Sequence, residues 1–542
     1  MFMATNTRQS SNVARFLPGR AESQPDTVAL RLPMRSRGRL TYQDMTFREL
    51  DRAVDRRCRY FVSRGIRPGC RVLLLVRPGR DLIVVVFALF KIGAVPVVID
   101  PGMGLRGFLR CVERTRPEAL IAIPLGRAIS RIFPGAFRGV SVRLGAGEPP
   151  ATGRTEEPFA VRDCAPDDPA AILFTSGSTG PAKGVCYEHG MFDSQVTAIR
   201  DHYGIEPGEI DLPMLPVFAL FNPALGMTTV VPELNPSRPA TVNPAHIVEA
   251  IHVCGVTNSF GSPVLWKKIG VYCRQHNLRL PSLRRILMAG APVPPALVET
   301  YGEILEGGEI HSPYGATEAL PVSSISGTEI LNGTRSVTER GGGTCVGKPL
   351  SGIRVRVVEV ADGPVARPED LRDLPAEGVG EILVSGAVVT RAYDAAPQAT
   401  ALAKVEKGGV IWHRMGDLGY LDEEGRLWFC GRVAERVTTP RGTMYTDCCE
   451  AIFNRVPGVF RTALIGLGDQ GRQTPALVVE PEPDAFPRGA AAREDFLRRL
   501  REQGARFEIT REIRTFFFEK RFPVDVRHNA KIHRNTLARR FS

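Results

Sequence analysis

Between residues 71 and 123 the chain alternates short apolar runs with helix-length segments, and this alternation limits the fold more than any other feature. Arg71 to Val76 reads as a buried strand closed by the turn Arg77-Pro78-Gly79. Asp81 to Ile92 is long enough for a helix, Gly93-Ala94 ends it, and Val95 to Ile99 is a second strand. A helical stretch, Leu105 to Thr115, precedes a third apolar run, Ala119 to Ile123. Strands alternating with helices predict a mostly parallel sheet covered on both faces. Gly145 to Asp168 lacks periodicity and reads as a long surface connection. Ile353 to Val358 alternates like a half-exposed strand, and Gly380 to Val384 and Gly425 to Phe429 continue a β-rich section. Past Arg432 the character changes: Val479 to Pro487 is Pro-rich and Ala490 to Gln503 is a charged amphipathic helix. The expected fold is α/β. A large N-terminal domain, 1–432, has mostly parallel sheets with covering helices plus the β-rich section, and a small α+β C-terminal domain spans 433–542.

Composition narrows the class. Among 542 residues, 43% are apolar and 24% charged, which excludes disordered, collagenous, coiled-coil and disulfide-scaffold chains. The net charge of +12 invites a nucleic-acid reading, but the charges are interspersed and no stacking or groove-reading motif accompanies them. No nucleic-acid partner is expected. Eleven cysteines without a CxxC pair imply a reducing compartment, and the nine histidines show no metal-binding spacing. Met1 to Asn12 is polar, unlike a signal peptide. The longest apolar run, Leu82 to Phe90, is closed by Asp81 and Lys91, too short for a membrane helix of about 20 residues. A soluble, cytoplasmic protein is expected.

The chemistry concentrates in Phe174-Thr175-Ser176-Gly177-Ser178-Thr179-Gly180-Pro181-Ala182-Lys183-Gly184-Val185, which follows the apolar run Ala170 to Leu173. A strand thus delivers a loop whose glycines permit close backbone approach and whose N–H and hydroxyl groups donate to phosphate oxygens. Lys183 adds charge where a polyphosphate would lie. A Walker loop needs Gly before the Lys and Ser or Thr after it, whereas Ala182 and Gly184 stand there. An ordinary P-loop NTPase is excluded.

This segment resembles the phosphate-binding loop of the acyl-adenylate-forming superfamily of acyl-CoA synthetases, adenylation domains and luciferase-like enzymes. Tyr314-Gly315-Ala316-Thr317-Glu318 resembles its YGxTE signature, which implies that Thr317 contacts the α-phosphate and Glu318 holds Mg²⁺. Gly290-Ala291-Pro292, within Ala289 to Pro292, resembles the stretch bordering the adenine. Met415-Gly416-Asp417 resembles the TGD motif with Met for Thr, and Asp417 would take the ribose hydroxyls. Gly431-Arg432 resembles the pair whose Arg reaches the ribose, and Glu435 falls at the family's hinge, so the small domain is expected to be mobile. Lys531 matches the catalytic lysine that offsets charge developing at the α-phosphorus. ATP and Mg²⁺ are the implied cofactors.

The departures from the superfamily pattern point to a subgroup. Leu215-Pro216-Val217-Phe218-Ala219-Leu220-Phe221-Asn222-Pro223 has Ala219 where acyl-CoA synthetases carry His. With Phe174 and the Phe260 to Pro263 turn, Phe218, Ala219 and Phe221 either line an acyl pocket or are plain core. Thr439-Pro440-Arg441-Gly442 replaces the Gly-Gly turn of CoA ligases, and Arg527-His528-Asn529-Ala530-Lys531 alters the terminal motif. Arg527 to Lys531, Phe218 to Gly226 and the run Pro313 to Val322 together resemble the β-lactone synthetases of long-chain olefin biosynthesis. The resemblance implies activation of a 2-alkyl-3-hydroxy fatty acid as acyl-AMP, then closure by its own hydroxyl with loss of AMP. His189 and His311 are candidate bases, each with a structural role as the commoner alternative. The rival reading is a long-chain fatty acyl-CoA or acyl-AMP ligase using CoA or a carrier thiol; a noncatalytic adenylate sensor is opposed by the presence of Lys531, Glu318 and Asp417. The basic tail (Arg527, Lys531, Arg534, Arg539, Arg540) is a candidate contact for other olefin-pathway enzymes or for a membrane surface.

Overall fold

A computed structural model describes residues 10–149, 157–175, 182–235, 241–524 and 531–542. The expected alternation holds. Strands Arg71–Leu75, Val95–Ile99 and Ala119–Ala122 pair in parallel, flanked by Val142–Gly145 on one side and Pro169–Thr175 on the other. Lys183–Glu188 closes this six-stranded sheet antiparallel to Pro169–Thr175. Helix Arg80–Ile92 is apolar on nearly every side and correspondingly buried from Ile83 to Ile92. Lys91 ends the apolar run in sequence, yet it is 1% exposed and its ammonium meets Asp51 at 3.0 Å and Asp55 at 2.5 Å. A buried cation is tolerated there because two carboxylates pair with it.

A second sheet, fourteen-stranded among the described residues, runs beside the first. Its parallel part includes Ile210–Pro213, Thr228–Val230, Asn258–Gly261, Arg285–Met288 and Glu309–Ala316. Its antiparallel part contains Arg354–Val358, Gly380–Ser385, Val410–Leu421 and Leu427–Arg432, the β-rich section read from sequence. After Arg432, among the described residues, the strands pair with one another: Val437–Thr439 with Gly442–Met444, and Thr474–Pro481 with both Val459–Leu467 and Thr515–Phe518. A large α/β domain is thus followed by a smaller C-terminal one. Val479 to Pro481, expected in a Pro-rich connection, completes a buried strand, because the prolines of that connection begin only at Pro481, the strand's last residue. Helix Ala490–Ala505 covers that sheet through Phe496 and Leu500.

Among the described residues no helix is long and apolar enough to cross a membrane. The basic tail is not a free strip. Arg534 is drawn into ion pairs with Glu435 and Glu450, and Arg540 pairs with Glu519 at 2.8 Å. Arg527 lies outside the described residues.

Candidate active site

Parallel strands present their carboxyl ends along one edge, and ligands of open α/β sheets bind in the crevice outside that edge. Here the edge collects the turn after Asn258–Gly261, the loop after Arg285–Met288 and the end of Glu309–Ala316. The backbone N–H of Ala289 donates to Gly261 O at 3.1 Å, joining two of these loops. Gly290, Ala291 and Pro292 follow directly, partly or fully exposed at the edge.

Tyr314 and Asp417, far apart in sequence, meet there. The Tyr314 hydroxyl donates to Asp417 Oδ2 at 2.6 Å, and Arg432 lies 2.7 Å from Oδ1. Asp417 and Arg432 are register partners on adjacent strands, so the sheet itself sets their separation. Asp417 is 3% exposed; burial pushes its carboxyl up, while Arg432, the Tyr314 hydroxyl and Lys531 pull it down. Lys531, from the C-terminal domain, is solvent-exposed and its charge is felt at Asp417. Arg432 is held above its ordinary value first by Asp417, and it also senses Glu435 and Glu318. At Gly315 an added Cβ would lie 2.7 Å from Ala319 O, so the turn between Tyr314 and Thr317 closes only around glycine.

Glu318 and Thr317 are held from beneath. Tyr393 donates to Glu318 Oε1 at 2.7 Å, Thr390 N–H donates to Glu318 O at 2.9 Å, and Tyr187 donates to Thr317 O at 2.5 Å. Thr175 pairs with Lys183 across the strand hairpin, and the Lys183 ammonium lies 4.9 Å from the Tyr393 ring centroid. Tyr393 therefore joins the end of the phosphate loop to Glu318. Ser176, Gly177, Ser178, Thr179 and Gly180 lie outside the described residues. Sequence reading missed Tyr393, Thr390 and Lys404. Lys404 is 8% exposed, donates to Thr390 Oγ1 at 3.0 Å, and is pushed down to about 7 by burial. A single lysine in a charge-mixed chain carries no signal of burial.

Phe218 and Phe221 border a narrow crevice of about 50 Å³, walled also by Phe260, Leu225, Met227 and Leu320. The Phe218 and Phe260 rings stack with centroids 3.7 Å apart. Ala219 and Phe174 are not among the residues that border this crevice. Ala219 is buried at 6% exposure within the main hydrophobic cluster, and Phe174 is covered by Arg114 and packs over Gly184. Phe174 faces the side of its sheet covered by helix Gly104–Thr115, a choice made by strand register rather than composition. Glu435 accepts from Arg534 at 2.7 Å. His189 is wholly buried with both ring nitrogens unpartnered, edge-on to Phe90. His311 precedes Tyr314 by three strand residues, about 10 Å. Neither histidine stands with the Tyr314–Asp417 cluster.

The AMP-binding enzyme family profile matches residues 17–394. The chain belongs to the AMP-binding enzyme family. Within the family it is 42% identical to an olefin beta-lactone synthetase from Stenotrophomonas maltophilia, with 97% of each chain covered. It is 41% identical to an olefin beta-lactone synthetase from Xanthomonas campestris, with 99% of each covered. Among solved structures, the amide bond synthetase McbA from Marinactinospora thermotolerans superposes with a TM-score of 0.80 at 22% identity, covering 98% of this chain and 100% of that one. ATP-bound MatB from Rhodopseudomonas palustris gives 0.78 at 21%, covering 98% and 99%. These two show the fold. The family resemblance carried by the motifs is borne out, and the AMP-binding fold extends over nearly the whole chain.

Proposed function

We propose that this AMP-binding enzyme activates a long-chain 2-alkyl-3-hydroxy acid as its acyl adenylate and closes the product to a β-lactone. The observation that carries this reading is the 42% identity to an olefin beta-lactone synthetase over 97% of both chains. An apolar crevice beside the Tyr314–Glu318 segment supports an alkyl substrate. A reaction without CoA is supported by the post-hinge stretch, where Thr439 to Gly442, in place of the Gly-Gly turn of CoA ligases, folds as a tight hairpin turn with Arg441 N–H donating to Thr439 Oγ1 at 3.1 Å.

In the first step a carboxylate oxygen of the acid attacks the α-phosphorus of ATP and pyrophosphate leaves. Lys531 offsets the negative charge that grows there, and Thr317 contacts the α-phosphate. Asp417 and Arg432 hold the ribose, Gly290 to Pro292 border the adenine, and the Thr175 to Lys183 loop receives the outer phosphates. Among the described residues no three carboxylate, His or Cys groups gather as a metal cage. That suits Mg²⁺, which binds through one or two carboxylates and the phosphates and keeps several waters, with Glu318 as the protein ligand. Bound there, Mg²⁺ would neutralise phosphate charge.

In the second step the 3-hydroxyl oxygen attacks the acyl carbon, AMP leaves with the bonding electrons, and the hydroxyl proton is lost. Because the nucleophile is tethered, no second substrate must be captured. We place the division between the domains after Arg432, with Glu435 at a hinge about which the small domain moves.

The test omits CoA. With ATP, Mg²⁺ and a 2-alkyl-3-hydroxy fatty acid, NMR and mass spectrometry are expected to show a β-lactone and one AMP per lactone. A thioester formed only when CoA is added, with no lactone, would replace this reading with an acyl-CoA ligase.

A further inference from the structure

We infer that Asp211, Asn222 and Asn258 form a polar end wall of the acyl crevice and are specificity-determining residues that select an alkyl branch by its length and by the chemistry of its tip. The inference rests on the acid-activating function proposed above. All three side chains line the crevice, and they are 3%, 3% and 4% exposed among otherwise largely apolar walls. Asn222 Nδ2 donates to Asp211 Oδ2 at 2.8 Å and to Thr229 Oγ1 at 2.9 Å. Asn258 Nδ2 donates to Asp211 Oδ1 at 2.7 Å. One acceptor is left over: Asn258 Oδ1 is buried and has no hydrogen-bond partner.

Asp211 and Asn258 are register partners on neighbouring parallel strands, so the network also ties those strands together. Apolar residues of similar volume would do that without desolvating a carboxylate and two amides. The unpartnered oxygen is the part that strand-tying leaves unexplained, and its chemistry calls for a donor.

Position decides which part of a substrate can supply it. The reacting carboxylate belongs at the sheet's carboxyl edge, next to Glu318, and Pro313 and Leu320 carry the crevice wall from that segment inward. Asn258 begins the strand that ends at Gly261 on the same edge, three residues and about 10 Å deeper. The wall therefore meets the far end of a branch, not the carboxylate. A methyl-tipped branch that reaches it covers polar groups and returns no hydrogen bond. A hydroxyl-tipped branch of equal length donates to Asn258 Oδ1. Sites built to hydrogen-bond a hydroxyl discriminate strongly against the analogue that lacks it.

The experiment measures ATP-dependent AMP release by the full chain with two series of 2-alkyl-3-hydroxy acids. In one series the branches are methyl-tipped and lengthened separately; in the other each carries a terminal hydroxyl. For one branch, kcat/KM is expected to fall beyond a threshold length, and at that length the hydroxyl-tipped acid is expected to exceed its methyl-tipped counterpart ~10-fold. Asn258→Leu is expected to abolish that preference while leaving KM for ATP unchanged. Equal rates for both tips at every length would overturn the inference, as would a preference that survives Asn258→Leu. If that variant does not fold, the wild-type comparison of tips decides alone. AMP release indifferent to the tip overturns only the end wall, whereas no AMP from any acid overturns the acid-activating function with it.

Discussion

Arg534 donates to Glu435 at 2.7 Å, linking the short helix just after strand Leu427–Arg432 to the segment that carries Lys531. The same guanidinium grips Glu450 through two further bonds of 2.8 and 2.6 Å. Both carboxylates are under a tenth exposed, so Arg534 is the cation that makes their burial tolerable. Because Lys531 lies only three residues before Arg534, this pairing also fixes where the lysine's chain segment begins its last helix.

Arg534→Met is expected to destabilise the protein by about 3–5 kcal/mol, the cost of stranding a buried charge. The rate of adenylation should fall more than the affinity for ATP. Thermal unfolding and pyrophosphate-exchange kinetics on the same preparation separate the two effects. A variant with unchanged Tm would show that Glu450 and Glu435 find other partners.

Lys531→Ala is expected to lower the adenylation rate about 10²–10³-fold, as loss of an electrostatic stabiliser does. ATP affinity, measured by calorimetry, should stay near that of the wild type. Adenylation at the wild-type rate would remove the lysine from the first step.

Asp417→Asn breaks the pairing with Arg432 and changes the acceptor for the Tyr314 hydroxyl. KM for ATP is expected to rise about 10-fold or more, since hydrogen bonds to a charged group are among the stronger ones. The wild type should also discriminate against 2′-deoxy-ATP, and the variant should do so less. Equal discrimination by both proteins would argue that Asp417 does not meet the ribose.

Burial pushes the Asp211 carboxyl up to about 6 from an ordinary 3.8. The folded state therefore holds more protons than the unfolded state between those values. Its stabilising contribution is full below pH of about 4 and is lost as pH climbs through about 6. Asp211→Asn removes that titration, and the Asn258 amide can turn its unpartnered oxygen toward the new side-chain N–H₂. The Tm difference, variant minus wild type, is expected to grow from pH 4 to 6 and then level off. Calorimetry across that range checks it, and a difference independent of pH would contradict the buried carboxylate.

The alternating β and α segments were legible because strands and helices announce themselves within a few residues, through apolar runs and the turns that close them. The motifs that carry the resemblance were legible for a related reason: each is a contiguous run of a few residues, as at Tyr314 to Glu318. Phe174 and Ala219 were not separable from Phe218 and Phe221 on the same grounds. All four are apolar, and only packing decides which face a crevice and which fill the core.

By itself the sequence determined the α/β class and the family, since these depend on local periodicity and on short motifs. Tertiary structure alone decided that Tyr314 meets Asp417, that Tyr393 joins Lys183 to Glu318, and that Lys91 and Lys404 are buried cations. It also decided that three polar side chains close an apolar crevice. Each of these is a contact or an environment set by strand order and register over tens to hundreds of residues. Local propensity does not reach that far, whereas the burial and hydrogen bonding of polar groups are settled only when distant strands come together.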